Sequence, residues 1–105
     1  MAEDWVRVAS AADVAKGQVI GVRVGDRDVA LCRTRDGALH AIDNICTHEY
    51  ARLSDGWLED DELECPLHAG KFDVRTGEAL CPPVETNVDR FEVKTEGRDI
   101  FVRIP

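Results

Sequence analysis

The chain has 105 residues, enough for one domain with a modest core and too few for a second, catalytic domain beside it. Its 21 acidic residues against 13 basic ones leave a formal charge of −8, which argues against nucleic acid as a partner and for a basic protein surface, although the same charge also serves plain solubility. No apolar run approaches the ~20 residues that cross a bilayer, and the acidic start Met1-Ala2-Glu3-Asp4-Trp5 has no export segment, so a cytoplasmic protein without a membrane partner is expected.

Along the chain, short β-branched runs alternate with Gly and Asp turns, the pattern of a small antiparallel all-β protein. Ser10-Ala11-Ala12-Asp13 has the spacing of a capping box and predicts one short helical turn ending near Gly17. Val19 to Val24 and Asp28 to Arg33 read as strands joined at Gly25-Asp26. Asp36-Gly37 predicts a hairpin before a strand over Ala38 to Ile42, because glycine tolerates the positive φ that tight hairpins demand.

From residue 44 to 83 the character changes. Ligand-bearing loops, Gly56, Gly70, Gly77 and the Pro82-Pro83 step stand in place of long strands, and Glu59-Asp60-Asp61-Glu62 with Glu64 reads as a solvated turn. Beyond it, Phe91, Val93 and Thr95 alternate with charged residues, and after a Glu96-Gly97 turn the run Ile100 to Ile104 returns as a partner strand. The expected organisation is a single domain over 1–105, with a β base from 1–43 and 84–105 and an inserted loop-rich subdomain over 44–83.

The chemistry lies in Cys46-Thr47-His48 and Cys65-Pro66-Leu67-His68, which each pair a thiol with an imidazole and stand sixteen residues apart. Two arms carrying one soft and one borderline ligand each suit two inequivalent metals side by side. A Cys2His2 zinc site would use the same four residues, but zinc fingers usually keep both Cys on one knuckle and both His on one helix. A Cys/His nucleophilic pair would leave the second arm unexplained. Of the other cysteines, Cys32 lies in the apolar run Val29-Ala30-Leu31-Cys32 and reads as a buried packing thiol, while Cys81, before Pro82-Pro83, reads as a packing residue with a place near the two arms as the alternative. The remaining histidine, His40, reads as a strand residue, and three histidines in all are too few to add a 2-His-1-carboxylate oxygenase iron. No G-x-G-x-x-G turn offers a nicotinamide or flavin site.

The two arms resemble the Rieske [2Fe–2S] motif, C-x-H then C-x2-H, in which two Cys hold one iron and two His the other. The fuller pattern, Cys46-Thr47-His48 through Leu53-Ser54-Asp55-Gly56, Glu64-Cys65-Pro66-Leu67-His68 and Gly77-Glu78-Ala79-Leu80-Cys81-Pro82-Pro83-Val84, is similar to Rieske-type ferredoxins of bacterial aromatic ring-hydroxylating dioxygenases of the naphthalene and biphenyl type. The resemblance implies a small Rieske fold and a cluster bound by Cys46, His48, Cys65 and His68. It also implies a monomeric, non-enzymatic carrier that passes single electrons from a flavin-containing reductase to a terminal oxygenase. Two relatives by class keep other readings open: a Rieske-like small subunit of a nitrite-type reductase, and a zinc-stabilised interaction module.

Within that resemblance, the residues beside the ligands point to the low end of the Rieske range of about −150 to +300 mV. High-potential relatives tie their loops with a disulfide at the positions of Ala51 and Leu67, and place Gly-Ser-x-Tyr where this chain has Ala69-Gly70-Lys71-Phe72. The disulfide and both hydroxyl donors are therefore missing. Glu49 stands where relatives often have Gly. The resemblance also places the His ligands at an exposed tip framed by Tyr50, Leu67 and Pro83, where partners would dock.

Overall fold

The structure, a computed structural model, describes residues 5–47, 51–67, 70–82 and 84–104. Ten strands follow in chain order: β1 (Trp5–Ser10), β2 (Gln18–Val24), β3 (Arg27–Arg33), β4 (Leu39–Asp43), β5 (Trp57–Glu59), β6 (Glu62–Glu64), β7 (Lys71–Asp73), β8 (Ala79–Cys81), β9 (Arg90–Glu96) and β10 (Asp99–Arg103). They form a six-stranded sheet in the order β1-β10-β9-β4-β3-β2 and a four-stranded sheet in the order β5-β6-β7-β8. The described strand pairings are antiparallel, as the turn chemistry predicts.

The turns explain the registers. Val24 pairs with Arg27, leaving the two-residue loop Gly25-Asp26 with Gly25 at φ +64°, the handedness that matches strand twist. The Asp36-Gly37 hairpin is closed by its own side chains: the Thr34 hydroxyl and the Ala38 N–H both donate to the Asp36 carboxylate, at 2.5 and 3.1 Å. The last turn falls one residue later than expected. Glu96 still pairs with Asp99, so the loop is Gly97-Arg98, and Gly97 supplies the positive φ. The expected helix over 10–13 is a single 3-10 turn, Ala11–Asp13, held by the Ser10 N–H donating to the Asp13 carboxylate. Among the described residues, no helix is long and apolar enough to cross a membrane.

Two apolar cores share strand β3. Val29 and Leu31 point into the curl of the six-stranded sheet with Val14, Phe91, Ile100 and Val102, while Ala30 and Cys32 face the other core with Ile42, Leu53, Leu63 and Phe72. Burial on both faces explains why Val29-Ala30-Leu31-Cys32 is a continuous apolar run rather than an alternating one. Small residues on one side and large ones on the other let the second core come close to the sheet. Cys32 is fully buried as expected, and burial pushes its thiol up to about 12, which makes it inert as a nucleophile.

Candidate metal centre

The two arms are built on one backbone plan. In the first, the Cys46 N–H donates to the Ala51 carbonyl at 2.9 Å; in the second, the Cys65 N–H donates to the Gly70 carbonyl at 2.7 Å. Each bond spans five residues and closes a loop that brackets a histidine of the motif. Both cysteines are buried in the core shared with Leu63 and Phe72, and none of the four cysteines is in a disulfide. His48, Glu49, Tyr50, His68 and Pro83 lie outside the described residues.

The supports under the two arms differ. Cys65 continues strand β6, whose ladder with β7 (Glu62–Asp73, Leu63–Phe72, Glu64–Lys71) runs directly into the arm. The first arm leaves β4 after Asp43 and lies on no such ladder: among the described residues its backbone is joined to its return by the isolated bridge Ile45–Arg52, with the Cys46–Ala51 bond on one side and the Leu53 N–H donating to the Asn44 carbonyl at 2.7 Å on the other. A third segment closes on both. Val84 packs on Gly70 so tightly that a Cβ there would lie 2.6 Å from Val84 Cγ1, and the Thr47 hydroxyl donates to the Thr86 carbonyl at 2.6 Å.

Around the arms lies a polar network that the sequence did not reveal. Asn44 is fully buried, and its amide donates to Asp28 Oδ1 at 3.0 Å and to Ser54 Oγ at 2.9 Å while accepting from the Ser54 N–H at 2.7 Å. Arg52 Nε donates to the other Asp28 oxygen at 3.1 Å. Burial alone would raise the Asp28 pKa, but the bonds from Asn44 and Arg52 and the charges of Arg52 and Arg23 outweigh it and hold the carboxyl below the ordinary range. The only hint in the sequence is an Asn two residues before Cys46, followed by the Leu53-Ser54-Asp55-Gly56 turn.

His40 sits mid-strand on β4 opposite Cys32, and burial lowers its pKa despite the nearby Asp36 and Asp61 carboxylates. Cys81 ends strand β8, half-buried and in register with Lys71. Leu67 and Leu80 are 52% and 40% exposed, and Leu67 belongs to the second arm itself.

Two buried thiols, each on a backbone-braced loop and both in one apolar core, fit a thiolate-held iron–sulfur cluster: soft donors are present and shielded from solvent. The fold and this site define a small iron–sulfur domain, and the comparison with known proteins specifies it: residues 4–92 match the Rieske [2Fe-2S] domain, and the chain belongs to that family, whose cofactor is a [2Fe–2S] cluster. It is 45% identical to the ferredoxin component of a naphthalene 1,2-dioxygenase system from Pseudomonas aeruginosa, over 97% of both chains. Among solved structures it is similar to the ferredoxin of carbazole 1,9a-dioxygenase from Nocardioides aromaticivorans, with 35% identity, a TM-score of 0.89 and coverage of 95% of this chain and 97% of that one. A chain from a complex of reduced oxygenase and oxidized ferredoxin in carbazole 1,9a-dioxygenase matches at 35% identity and a TM-score of 0.87, over 93% of this chain and all of that one.

Proposed function

We propose that this protein is a soluble, monomeric one-electron carrier of the cytoplasm that takes electrons from a flavin-containing reductase and delivers them to the terminal oxygenase of an aromatic-ring dioxygenase system. Cys46 and Cys65 hold one iron and His48 and His68 the other, with 44–83 acting as the cluster-binding unit on a base formed by 1–43 and 84–105. The observation that carries this reading is the pair of matching arms, each with a buried cysteine whose N–H closes a five-residue loop around a motif histidine. Near full-length similarity to ferredoxin components of dioxygenase systems supports the role.

When bound, the cluster supplies a reversible single-electron couple, and the chain's own residues set how readily it is used. Phe72 is fully buried beside the cysteines and brings no hydroxyl; Gly70 brings no side chain, and Val84 fills the space one would need. Fewer donors toward the cluster mean less stabilisation of added negative charge, hence a low potential. Leu67, exposed on the second arm, offers an apolar contact that sheds water when a partner closes over it, while the chain's −8 charge steers a basic surface toward it.

The test is single-turnover transfer from the dithionite-reduced protein to an oxidised naphthalene-type terminal oxygenase, followed anaerobically. The wild type transfers one electron per cluster, and Leu67→Glu, with its cluster intact, transfers at least tenfold more slowly. Transfer at the wild-type rate by that variant would contradict docking at the second arm, and no transfer by the wild type would contradict the carrier role.

A further inference from the structure

The second arm is aligned by three consecutive backbone pairs of β6 and β7, whereas the first has one isolated bridge, Ile45–Arg52, beneath it. Some other group must fix the angle at which Ile45-Cys46 leaves the sheet. We propose that Asn44 is the positioning residue of the first cluster arm, setting the geometry of Cys46, and through it the cluster's electronic state, by clamping the outgoing and returning chain to strand β3. This inference rests on the ligand assignment proposed above.

The side chain of Asn44 reaches both parts at once. Its carbonyl oxygen takes the Ser54 N–H on the returning chain, and its NH2 group bonds Ser54 Oγ and the Asp28 carboxylate on β3. Its backbone N–H donates to the Asp28 carbonyl at 2.9 Å, so two points of Asn44 are fixed to one residue. Arg52, the partner in the single bridge, occupies the remaining Asp28 oxygen. Only an amide fits this set, because the site needs one acceptor and two donors on a planar fork. Aspartate would offer no donor and face Asp28; leucine would leave the Ser54 N–H without its side-chain acceptor in a fully buried place.

Strand β2 is cut back to make room. A Cβ at Gly21 would lie 2.7 Å from Arg52 Nη2, 2.9 Å from Ser54 Oγ and 3.1 Å from Asn44 Nδ2, so three members of the clamp fill the space a side chain would take. Gly21 has no direct contact with either arm's cysteine among these neighbours, which makes it a way to disturb the clamp from behind.

The experiment compares the wild-type holoprotein with Asn44→Asp, Gly21→Ala and the exchanged pair Asn44→Asp/Asp28→Asn, reading the EPR spectrum of the reduced form, the reduction equilibrium and thermal stability. Asn44→Asp should broaden or shift the EPR lines and change the reduction equilibrium at least threefold, with Gly21→Ala moving both in a smaller degree. The exchanged pair, which restores a donor opposite an acceptor, should return the spectrum toward wild type. If Asn44→Asp does not fold, Gly21→Ala alone decides. Variants that lose thermal stability while keeping the wild-type spectrum and equilibrium would reduce Asn44 to a purely structural residue and overturn the proposal, leaving the ligand assignment intact. A wild type without a Rieske signal would instead bring down the ligand assignment first.

Discussion

The six-stranded sheet and the four-stranded sheet solve the same problem by different means. In the first, strands of five to seven residues carry their register through glycine hairpins standing in open space, and apolar side chains from both edges fill the curl. In the second, every strand has three residues, and shape is enforced by close contact: Gly56 against the Glu64 carbonyl, Gly70 against Val84, Gly77 against the Val88 carbonyl. A surface hairpin glycine is needed for its backbone angle, whereas Gly56 and Gly70 are needed for their missing Cβ and Gly77, at φ +84°, for both. The difference teaches where a metal-binding region gets its precision: from atoms that leave no slack, since three-residue strands supply too few ladder bonds to do so.

The sharpest way to break the comparison is to add a methyl group on each side. A Cβ at Gly56 would overlap the Glu64 carbonyl oxygen, next to Cys65, so Gly56→Ala should cost on the order of 4 kcal/mol and sharply reduce iron content. Gly25 has φ +64° and nothing within 4 Å, so Gly25→Ala should cost only about 1–2 kcal/mol of backbone strain with full iron content. Thermal denaturation and iron analysis of the two variants check both statements, and equal losses would erase the distinction.

Phe72→Tyr sharpens the same contrast electronically. A hydroxyl in this buried position next to the cysteines should raise the reduction potential by roughly 60 mV, a tenfold change for one electron, measured by redox titration; an unchanged potential would mean the hydroxyl finds no path to the cluster.

The polar joint between the sheets makes a pH-dependent prediction. Asp28 is held below its ordinary value of 3.8, so its contribution to stability is complete above that value and is lost as pH falls through the still lower folded pKa. The stability gap between wild type and Asp28→Asn should therefore be full at neutral pH and close in strong acid. Urea titrations at a series of pH values check this, and a gap independent of pH would show that Asp28 acts by packing rather than by charge.

The smallest effect belongs to Cys32. With its thiol pushed up to about 12 by burial, it should resist alkylation in the native protein at neutral pH, and Cys32→Ala should keep the cluster spectrum while costing about 1 kcal/mol. Rapid labelling of Cys32 in the folded holoprotein would contradict its place between the two cores.

These contrasts also explain what could be read in the sequence. Most of the base was legible because its signals are local: Gly25, Gly37 and Gly97 mark turns, and the strands they join are long enough to show their character; β1 (Trp5–Ser10), which meets β10 across the length of the chain with no turn beside it, was not read. The family was legible for the same reason, since each arm keeps its Cys and His within four residues. Strands β5 to β8 were not, because three residues cannot display a period of two against chance. The Asn44–Asp28–Arg52–Ser54 clamp and the space left by Gly21 were invisible too. They join residues far apart in the chain, and nothing in the local pattern of an Asn or a Gly says which distant side chain it will meet. The apolar run 29–32 announced a strand but not that its two faces serve different cores.

The central claim, a cluster held by two cysteines and two histidines, is tested most directly by the low-temperature EPR spectrum of anaerobically purified protein before and after dithionite. The account predicts a red-brown protein whose reduced form gives a rhombic signal of low average g, as mixed Cys/His ligation requires. A colourless, EPR-silent protein carrying one zinc would contradict it and make the two arms a structural metal site.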